Sequence, residues 1–376
     1  MNSQVAKTKS GGLAGVVAGT TSIAKLDSDG SELLYRGYKI EDLAENARFE
    51  EVAWLLLHGD LPSQGDLTAF ETRLAAQCEL PTTLKTTLES IPGTVNPMDV
   101  LRTGCSMLGC LEPEGRLDHG QEVAERLIAA LPSILLYWYR FHRDGIRIDT
   151  EFNSPSFAAH FLTMLKGSPP DELHEQAMDV SLTLYAELEF NASTFAARVA
   201  TATLTDFYSA ITAAIGTLRG KLHGGANSAA MKLIESFDSA DAAEVGILAA
   251  LAARDLIMGF GHRVFRTSDP RSAIIQSWSK RLSEAAGDEK LYAVSERIEQ
   301  VMWDRKKLFP NVDFYSASTY NFLGIPTELF TSIFACSRIT GWSAHVLEQR
   351  SNNKLISPNA DYTGPEAKAW VPLEAR

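Results

Sequence analysis

The stretch YAELEFNASTFAARVATATLTDFYSA, Tyr185–Ala210, carries the densest mixture of helical periodicity and polar side chains in the chain. Apolar or small residues at Tyr185, Leu188, Ala192, Phe195 and Val199 are spaced 3, 4, 3 and 4 apart. Those steps follow one face of a 3.6-residue period and predict a helix. The same run holds Glu187, Glu189, Asn191, Ser193, Thr194 and Arg198, more polar groups than a core helix needs. It is either an ordinary amphipathic helix or one wall of a site. Leu188, set between two glutamates, makes the choice matter.

Outward from this stretch the chain reads helical almost throughout. Small residues dominate from about 181 to 222, read as one helical stretch whose Ala, Ser and Thr allow close helix approach at a domain or subunit interface. Towards the N-terminus, TTSIAKL and ELLYRGY flank Asp27-Ser28-Asp29-Gly30, the composition of a β-hairpin. FEEVAWLLLHGDLP predicts a helix stopped by Gly59, with Pro62 beyond it. NPMDVLRTGCSML opens with Asn96 as N-cap and Pro97 at the first helical position. AERLIAALPSILLYWYRFHRDG is apolar enough to be central, with Pro132 expected to kink or split it. Three breaks interrupt the C-terminal half: RGKLHGGANSAAM (Arg219–Met231), MGFGHRVFRTSDPRS (Met258–Ser272) and FPNVDFYSAS (Phe309–Ser318). Strand signal is minor, so the fold class is mainly α.

The 376 residues, 45% of them hydrophobic, suffice for one large domain and a smaller one. A net charge of −12 argues against nucleic acid or an anionic membrane as partner, since both need basic surface. Any anionic ligand must then meet a few placed cations. Cys78, Cys105, Cys110 and Cys336 lack zinc-site spacing and read as buried free thiols of a reducing compartment. MNSQVAKTKSGGLAG shows no apolar signal-peptide core, and no run is long enough to span a membrane, so a cytoplasmic protein is expected.

Eight histidines occur. His58, His119, His142, His160 and His174 sit in polar or helix-end contexts, and His345 in an apolar helix reads as a satisfied core residue. His223 in LHGGAN and His262 in GFGHRVF differ, because each lies in a glycine-rich break where the backbone can approach a ligand closely. Asp313 in PNVDFYS is either a cap or a carboxylate whose pKa rises among Val312 and Phe314 so that it can serve as a base. Arg266 and Arg271 follow His262, and Arg338 lies in CSRITGW; a guanidinium among apolar residues suits a carboxylate or phosphate partner. Two histidines, a carboxylate and several arginines fit proton removal from the α-carbon of a thioester, with a second carbonyl polarised as acceptor. HExxH, CxxC, a P-loop and GxGxxG are all absent, and no metal is expected.

In the order and spacing of these motifs the chain resembles the citrate synthase family, in particular its bacterial 2-methylcitrate synthase branch. The resemblance runs from TTSIAKLDSDGSELLYRGYKIEDLA through NPMDVLRTGCS, FNASTFAARV, LHGGAN, GFGHRVFRTSDPR, FPNVDFYSAS and GWSAHVLEQR to ADYTGPE. It implies an almost all-α homodimer with a short N-terminal β-hairpin. Residues 1–222 and 321–376 would form a large helical domain, and 223–320 a small one carrying the acyl-CoA and catalytic loops. It implies an enzyme condensing acetyl-CoA or propionyl-CoA with oxaloacetate or another 2-oxo acid, the thioester being substrate and no further cofactor being needed. By motif match His223 would stabilise the enol, His262 polarise the acceptor ketone and Asp313 act as base. Arg271 and Arg338 would hold acceptor carboxylates, Asn191 would line the substrate site, and Arg266 would approach a CoA phosphate. Two positions depart from the family pattern, both on the acceptor side. AELEFNAST has Leu188 where the family has histidine, and LISPNADYTG has Ser357 where it has arginine. A smaller departure is Ser228 in HGGANS. Three readings remain at this stage: a 2-methylcitrate or citrate synthase, a paralogue taking a different 2-oxo acid such as a phosphonate analogue, and a catalytically silent CoA-binding or regulatory homologue.

Overall fold

The computed structural model describes residues 13, 16–27 and 32–376. The chain begins with a small antiparallel sheet, β1 (Ala24–Leu26), β2 (Leu33–Tyr35) and β3 (Tyr38–Lys39), in that spatial order. Ala24 lies opposite Tyr35 and Leu26 opposite Leu33. The expected hairpin is thus present, its turn at Ser28–Gly30 lying outside the described residues. The third strand was not expected. It arises because Arg36 (φ 50°) and Gly37 (φ 92°) both take left-handed backbone, the twist a two-residue hairpin turn requires. In the sequence this turn hides inside what reads as one strand.

Sixteen α-helices follow among the described residues. The first seven are α1 (Ile40–Asn46), α2 (Phe49–His58), α3 (Gln64–Ala75), α4 (Thr82–Ser90), α5 (Pro97–Leu111), α6 (Gly120–Asp144) and α7 (Phe157–Lys166). Next come α8 (Glu172–Tyr185), α9 (Ala192–Thr201), α10 (Phe207–Leu218), α11 (Ala226–Glu235) and α12 (Ala240–Ala253). The last four are α13 (Pro270–Ala286), α14 (Glu289–Lys306), α15 (Val312–Phe322) and α16 (Phe330–Ser351). Gly59 ends α2 with φ 98°, and the Asn96 side chain caps α5 with Pro97 in the first turn, both as the sequence predicts. Helix α6 runs unbroken through Pro132, and every residue from Leu127 to Arg140 is buried. Burial on all sides holds the helix where one main-chain hydrogen bond is missing. Helix α16, buried from Ser332 to Val346, packs against α6, α9 and α2. Helices α11–α15 pack chiefly on one another, α13 on α15 and α12 on α14, while α13 and α15 also reach α8. None of the described helices is long and apolar enough to cross a membrane.

The continuous helix expected over 181–222 is instead three pieces, and the first interruption shapes the site. Helix α8 stops at Tyr185 because its last carbonyls, which have no partner within the helix, are taken by α16 and β2. Ser337 Oγ donates to the Leu182 carbonyl, Arg338 Nε to that of Tyr185 at 2.7 Å, and the Gly341 amide to that of Ala186 at 3.1 Å. The buried Tyr35 hydroxyl donates to the Glu187 carbonyl at 2.8 Å. Glu189 then turns the chain with φ 49°, and Asn191 caps α9. A second turn, with Leu204 at φ 64° and Asp206 as cap, separates α9 from α10. Two of the three expected breaks are also shorter, since α11 starts at Ala226 and α15 at Val312. The thiols need one correction: Cys78, Cys105 and Cys336 are buried, but Cys110 is exposed.

Candidate active site

Asp313 sits in the first turn of α15, not in an open loop. The Asn311 side chain caps that helix and accepts the Asp313 amide at 3.1 Å. The Tyr185 hydroxyl, at the end of α8, donates to Asp313 Oδ1 at 2.7 Å, while Oδ2 takes no hydrogen bond among the described residues. Burial pushes the Asp313 carboxyl above its ordinary value, and the Tyr185 hydroxyl and Arg271 pull back against it. The Tyr185 ring lies 4.7 Å from that of Phe334 on α16.

One turn beyond Phe334, Arg338 is fully buried with its guanidinium over the Phe334 ring. Its Nε is spent on the Tyr185 carbonyl, but Nη1 and Nη2 have no partner among the described residues. Burial lowers this guanidinium to about 10, a loss only partly made good by Glu187 and Tyr35. Two buried cationic donors left unpaired are costly, and an anion is the kind of partner that would satisfy them. Arg271 is different. Asp269, the cap of α13, takes both its Nε (2.9 Å) and Nη2 (2.8 Å) in a buried bidentate pair. Burial opposes that charge, but Asp269 more than compensates and holds Arg271 above its usual range. Asp269 also accepts the Val312 amide at 3.1 Å, tying this pair to the start of α15.

His223 lies in the turn between α10 and α11, its ring 6.3 Å from Phe334. The Ser193 amide donates to His223 Nε2 at 3.2 Å and the Ser193 hydroxyl lies 2.8 Å from the same nitrogen; with Nε2 accepting from the amide, the neutral ring carries its proton on Nδ1. Ser193 is positioned in turn by Asn191 Oδ1, and the Trp342 indole donates to its hydroxyl at 3.1 Å. His262 is arranged the other way. The amides of Val264 and Phe265 donate to His262 Nδ1 at 3.1 and 3.2 Å, which leaves the proton on Nε2. Burial drives both histidines down to about 4, reinforced by Arg338 for His223 and by Arg271 for His262. Both are therefore neutral donors at neutral pH. The His262 loop is fastened to the Asp313 segment: Asn311 Nδ2 donates to the Gly261 carbonyl at 2.9 Å, and the Asn311 amide to that of Gly259 at 2.9 Å. Gly259 has φ 88°, and a Cβ there would press on Phe314 at 3.0 Å, so the close approach requires glycine.

Asp313, Arg338 and His223 thus gather around Tyr185 and Phe334, and His262 and Arg271 are linked to them through Asn311 and Val312. Leu188 lies in the α8–α9 break, half-buried against the core. Asn191 spends its side chain on capping α9 and so reaches the site through Ser193. Arg266 is exposed on the His262 loop, and Ser357 is exposed on the C-terminal segment. Sequence reasoning missed Tyr185, Asp269, Ser193 and Phe334. Tyr185 and Phe334 carry no local sign of partners more than a hundred residues away, Ser193 carries none of His223, 30 residues on, and Asp269 reads as an ordinary N-cap. The remaining polar residues of the opening stretch are structural. His345 Nε2 donates to Glu187 Oε1 at 2.9 Å, and Arg198 donates to His345 Nδ1 at 2.9 Å and to Glu348 at 2.7 Å. His345 is the satisfied core histidine expected. A cleft of ≈ 900 Å³ borders the His223 turn, lined by Arg143, Arg219, Lys221 and Lys232, but none of the residues assigned above lines it.

Residues 12–359 match the family described as citrate synthase, C-terminal domain. The chain belongs to the citrate synthase family. It is 54% identical over 375 residues to the 2-methylcitrate synthase of Shewanella oneidensis, covering 100% of both chains. It is 44% identical to citrate synthase 2 of Bacillus subtilis, covering 98% of this chain and 100% of that one. Among solved structures, citrate synthase from Pyrobaculum aerophilum superposes with a TM-score of 0.90 at 37% identity, over 96% of this chain and 94% of that one. Thermoplasma acidophilum citrate synthase, solved as a ternary complex with carboxymethyl coenzyme A and oxaloacetate, gives 0.90 at 30% identity over 96% and 98%. The mainly helical architecture with its small N-terminal sheet is therefore the citrate synthase fold, and the chain is an enzyme of the citrate and 2-methylcitrate synthase type.

Proposed function

We propose that this enzyme condenses acetyl-CoA or propionyl-CoA with a 2-oxo acid, oxaloacetate or an analogue, giving a citrate-type 2-hydroxy acid and free CoA. The observation that carries the reading is Asp313: a carboxylate raised by burial, held at one oxygen and free at the other, beside a buried guanidinium with two unpaired nitrogens. Asp313 Oδ2 takes a proton from the acyl α-carbon, and the C–H pair forms the C=C bond of the enol. His223 Nδ1–H donates to the thioester oxygen, on which charge develops. The enol carbon attacks the acceptor ketone, whose oxygen is polarised by His262 Nε2–H. Water then cleaves the thioester and releases CoA. Arg338 holds the acceptor carboxylate, and Arg271, neutralised by Asp269, supports that site more weakly. Arg266, exposed on the His262 loop, would approach a CoA phosphate. The small domain, near 223–320, contains α11–α14 and most of α15; its closure over the large domain excludes water. A homodimer fits the C-terminal segment, where Leu355, Tyr362, Trp370 and Leu373 are all exposed in the single chain.

A second reading rests on the acceptor side. Of the two arginines assigned to the acceptor, Arg338 has two unpaired nitrogens and Arg271 is already paired, while Leu188 is apolar and Ser357 is uncharged. This favours a 2-oxo acid whose distal group is something other than a carboxylate, such as a phosphonate, amide or alkyl group. Thiol release from propionyl-CoA and acetyl-CoA with a panel of 2-oxo acids separates the readings. Fastest release with oxaloacetate supports a 2-methylcitrate or citrate synthase. Faster release with another 2-oxo acid supports the paralogue, and none with any acceptor would overturn both.

A further inference from the structure

Tyr185 is a buried tyrosine that no sequence motif singled out, yet one residue of α8 touches both halves of the site. Its hydroxyl donates to Asp313 Oδ1 at 2.7 Å, and its carbonyl accepts from Arg338 Nε at 2.7 Å. The ring is wedged between Phe334 of α16, at 4.7 Å, and Tyr320 of α15, at 6.5 Å, so the hydroxyl has little freedom to leave the carboxylate. We propose that Tyr185 is the positioning residue of the base: its hydroxyl locks the Asp313 carboxylate in one orientation and presents Oδ2 to the acyl α-carbon. This rests on the proposed condensation and deepens it.

The chemistry of the pair supports this division of labour. A tyrosine hydroxyl beside a carboxylate is a donor only while it keeps its proton. Burial and the adjacent Asp313 raise the Tyr185 hydroxyl well above its ordinary value, so it stays protonated through the working range. The bond favours the charged form of Asp313 and opposes the burial that raises it. The charged and titratable groups facing Asp313 are Tyr185 from α8, Asp269 and Arg271 from the start of α13, and Arg338 from α16; Tyr320 of α15 faces Tyr185. Of these, only Tyr185 makes a direct hydrogen bond to the carboxylate. The orientation effect is separate from the charge effect. With Oδ1 held, proton removal falls to Oδ2; without the hydroxyl the carboxylate can rotate about its Cβ–Cγ bond, and only a fraction of its orientations point at the substrate.

Tyr185→Phe removes the hydroxyl and leaves the ring packing and the carbonyl bond to Arg338 in place. The full-length enzyme is assayed with propionyl-CoA and the acceptor it uses best, following CoA release across pH. Deuterium uptake at the acyl α-carbon in D2O is followed by NMR with the same acceptor present. The expected result is a kcat lower by about 10- to 100-fold, the scale of losing a hydrogen bond to a charged group. KM for the acyl-CoA stays within about twofold and the melting temperature stays parental. The acid limb of kcat/KM moves to higher pH, because a carboxylate that loses a donor to its charged form binds its proton more tightly. Because Tyr185 acts through Asp313, adding Tyr185→Phe to Asp313→Asn should cost little beyond Asp313→Asn alone. A Tyr185→Phe enzyme with the parental acid limb and parental exchange rate would overturn the positioning role while leaving the condensation standing. A parent enzyme with neither exchange nor CoA release would overturn the condensation itself.

Discussion

Which ring nitrogen a backbone amide reaches sets the proton position on each of the two site histidines. The Ser193 amide takes Nε2 of His223, and the amides of Val264 and Phe265 take Nδ1 of His262. Long-range 1H–15N NMR of the unliganded enzyme at pH 7 should therefore show His223 protonated at Nδ1 and His262 at Nε2. Both rings should stay neutral until the pH nears about 4, since burial lowers them to that value. The same tautomer on both rings, or protonation near pH 6.5, would contradict the donor assignments. Leu188 and Ser357 test the acceptor side. A charge-assisted hydrogen bond contributes ~1.5–3 kcal/mol, so two missing ones could weaken oxaloacetate use by roughly 10²–10⁴-fold. The Leu188→His, Ser357→Arg double variant should raise kcat/KM for oxaloacetate relative to other acceptors. An unchanged ratio would mean that neither position contributes to acceptor choice. At this scale the sequence was informative wherever a residue stood against its surroundings. His223 and His262 in glycine-rich loops, Asp313 between apolar neighbours and Arg338 in an apolar helix all stood out. Tyr185 and Ser193 did not, because tyrosine and serine within a helical period are unremarkable until the partner helix is in place.

The end of α8 shows how an element boundary can escape a periodic reading. Nothing between Tyr185 and Val199 breaks the 3.6-residue spacing, and no proline or glycine lies there. The helix stops because α16 supplies Ser337, Arg338 and the Gly341 amide to its last carbonyls. That is a tertiary cause, and local propensity cannot report it. Capping signals fared better, as Asn96, Gly59 and Pro97 act within a few residues of the ends they define. The docking of α8 on α16 depends on Gly341, where a Cβ would overlap the Ala186 carbonyl and a carboxylate oxygen of Glu187. Gly341→Ala should thus destabilise the fold by ~1–3 kcal/mol, the cost of overpacking a tight contact. That outweighs the ~1 kcal/mol alanine ordinarily gains over glycine inside a helix. Chemical denaturation checks it, and a more stable variant would show that the α8–α16 contact can relax freely.

For the whole molecule, composition and periodicity made the mainly helical class legible, and motif order made the family legible. The third strand and the assembly were not, because each depends on contacts that leave no periodic trace. The exposed Leu355, Tyr362, Trp370 and Leu373 suggest a C-terminal segment that is covered in the assembled enzyme. Light scattering at micromolar concentration should give a mass near twice 41.1 kDa; a monomer would contradict the proposed dimer. The central claim is that Asp313 is the base of an acyl-CoA condensation. Its most direct test is the rate of CoA release with saturating propionyl-CoA and the preferred 2-oxo acid, compared between the parent and Asp313→Asn. The account predicts release that requires both substrates and falls by ~10²–10⁴-fold in the variant, the scale of losing a general base, with the melting temperature little changed. Parental turnover in Asp313→Asn would contradict it.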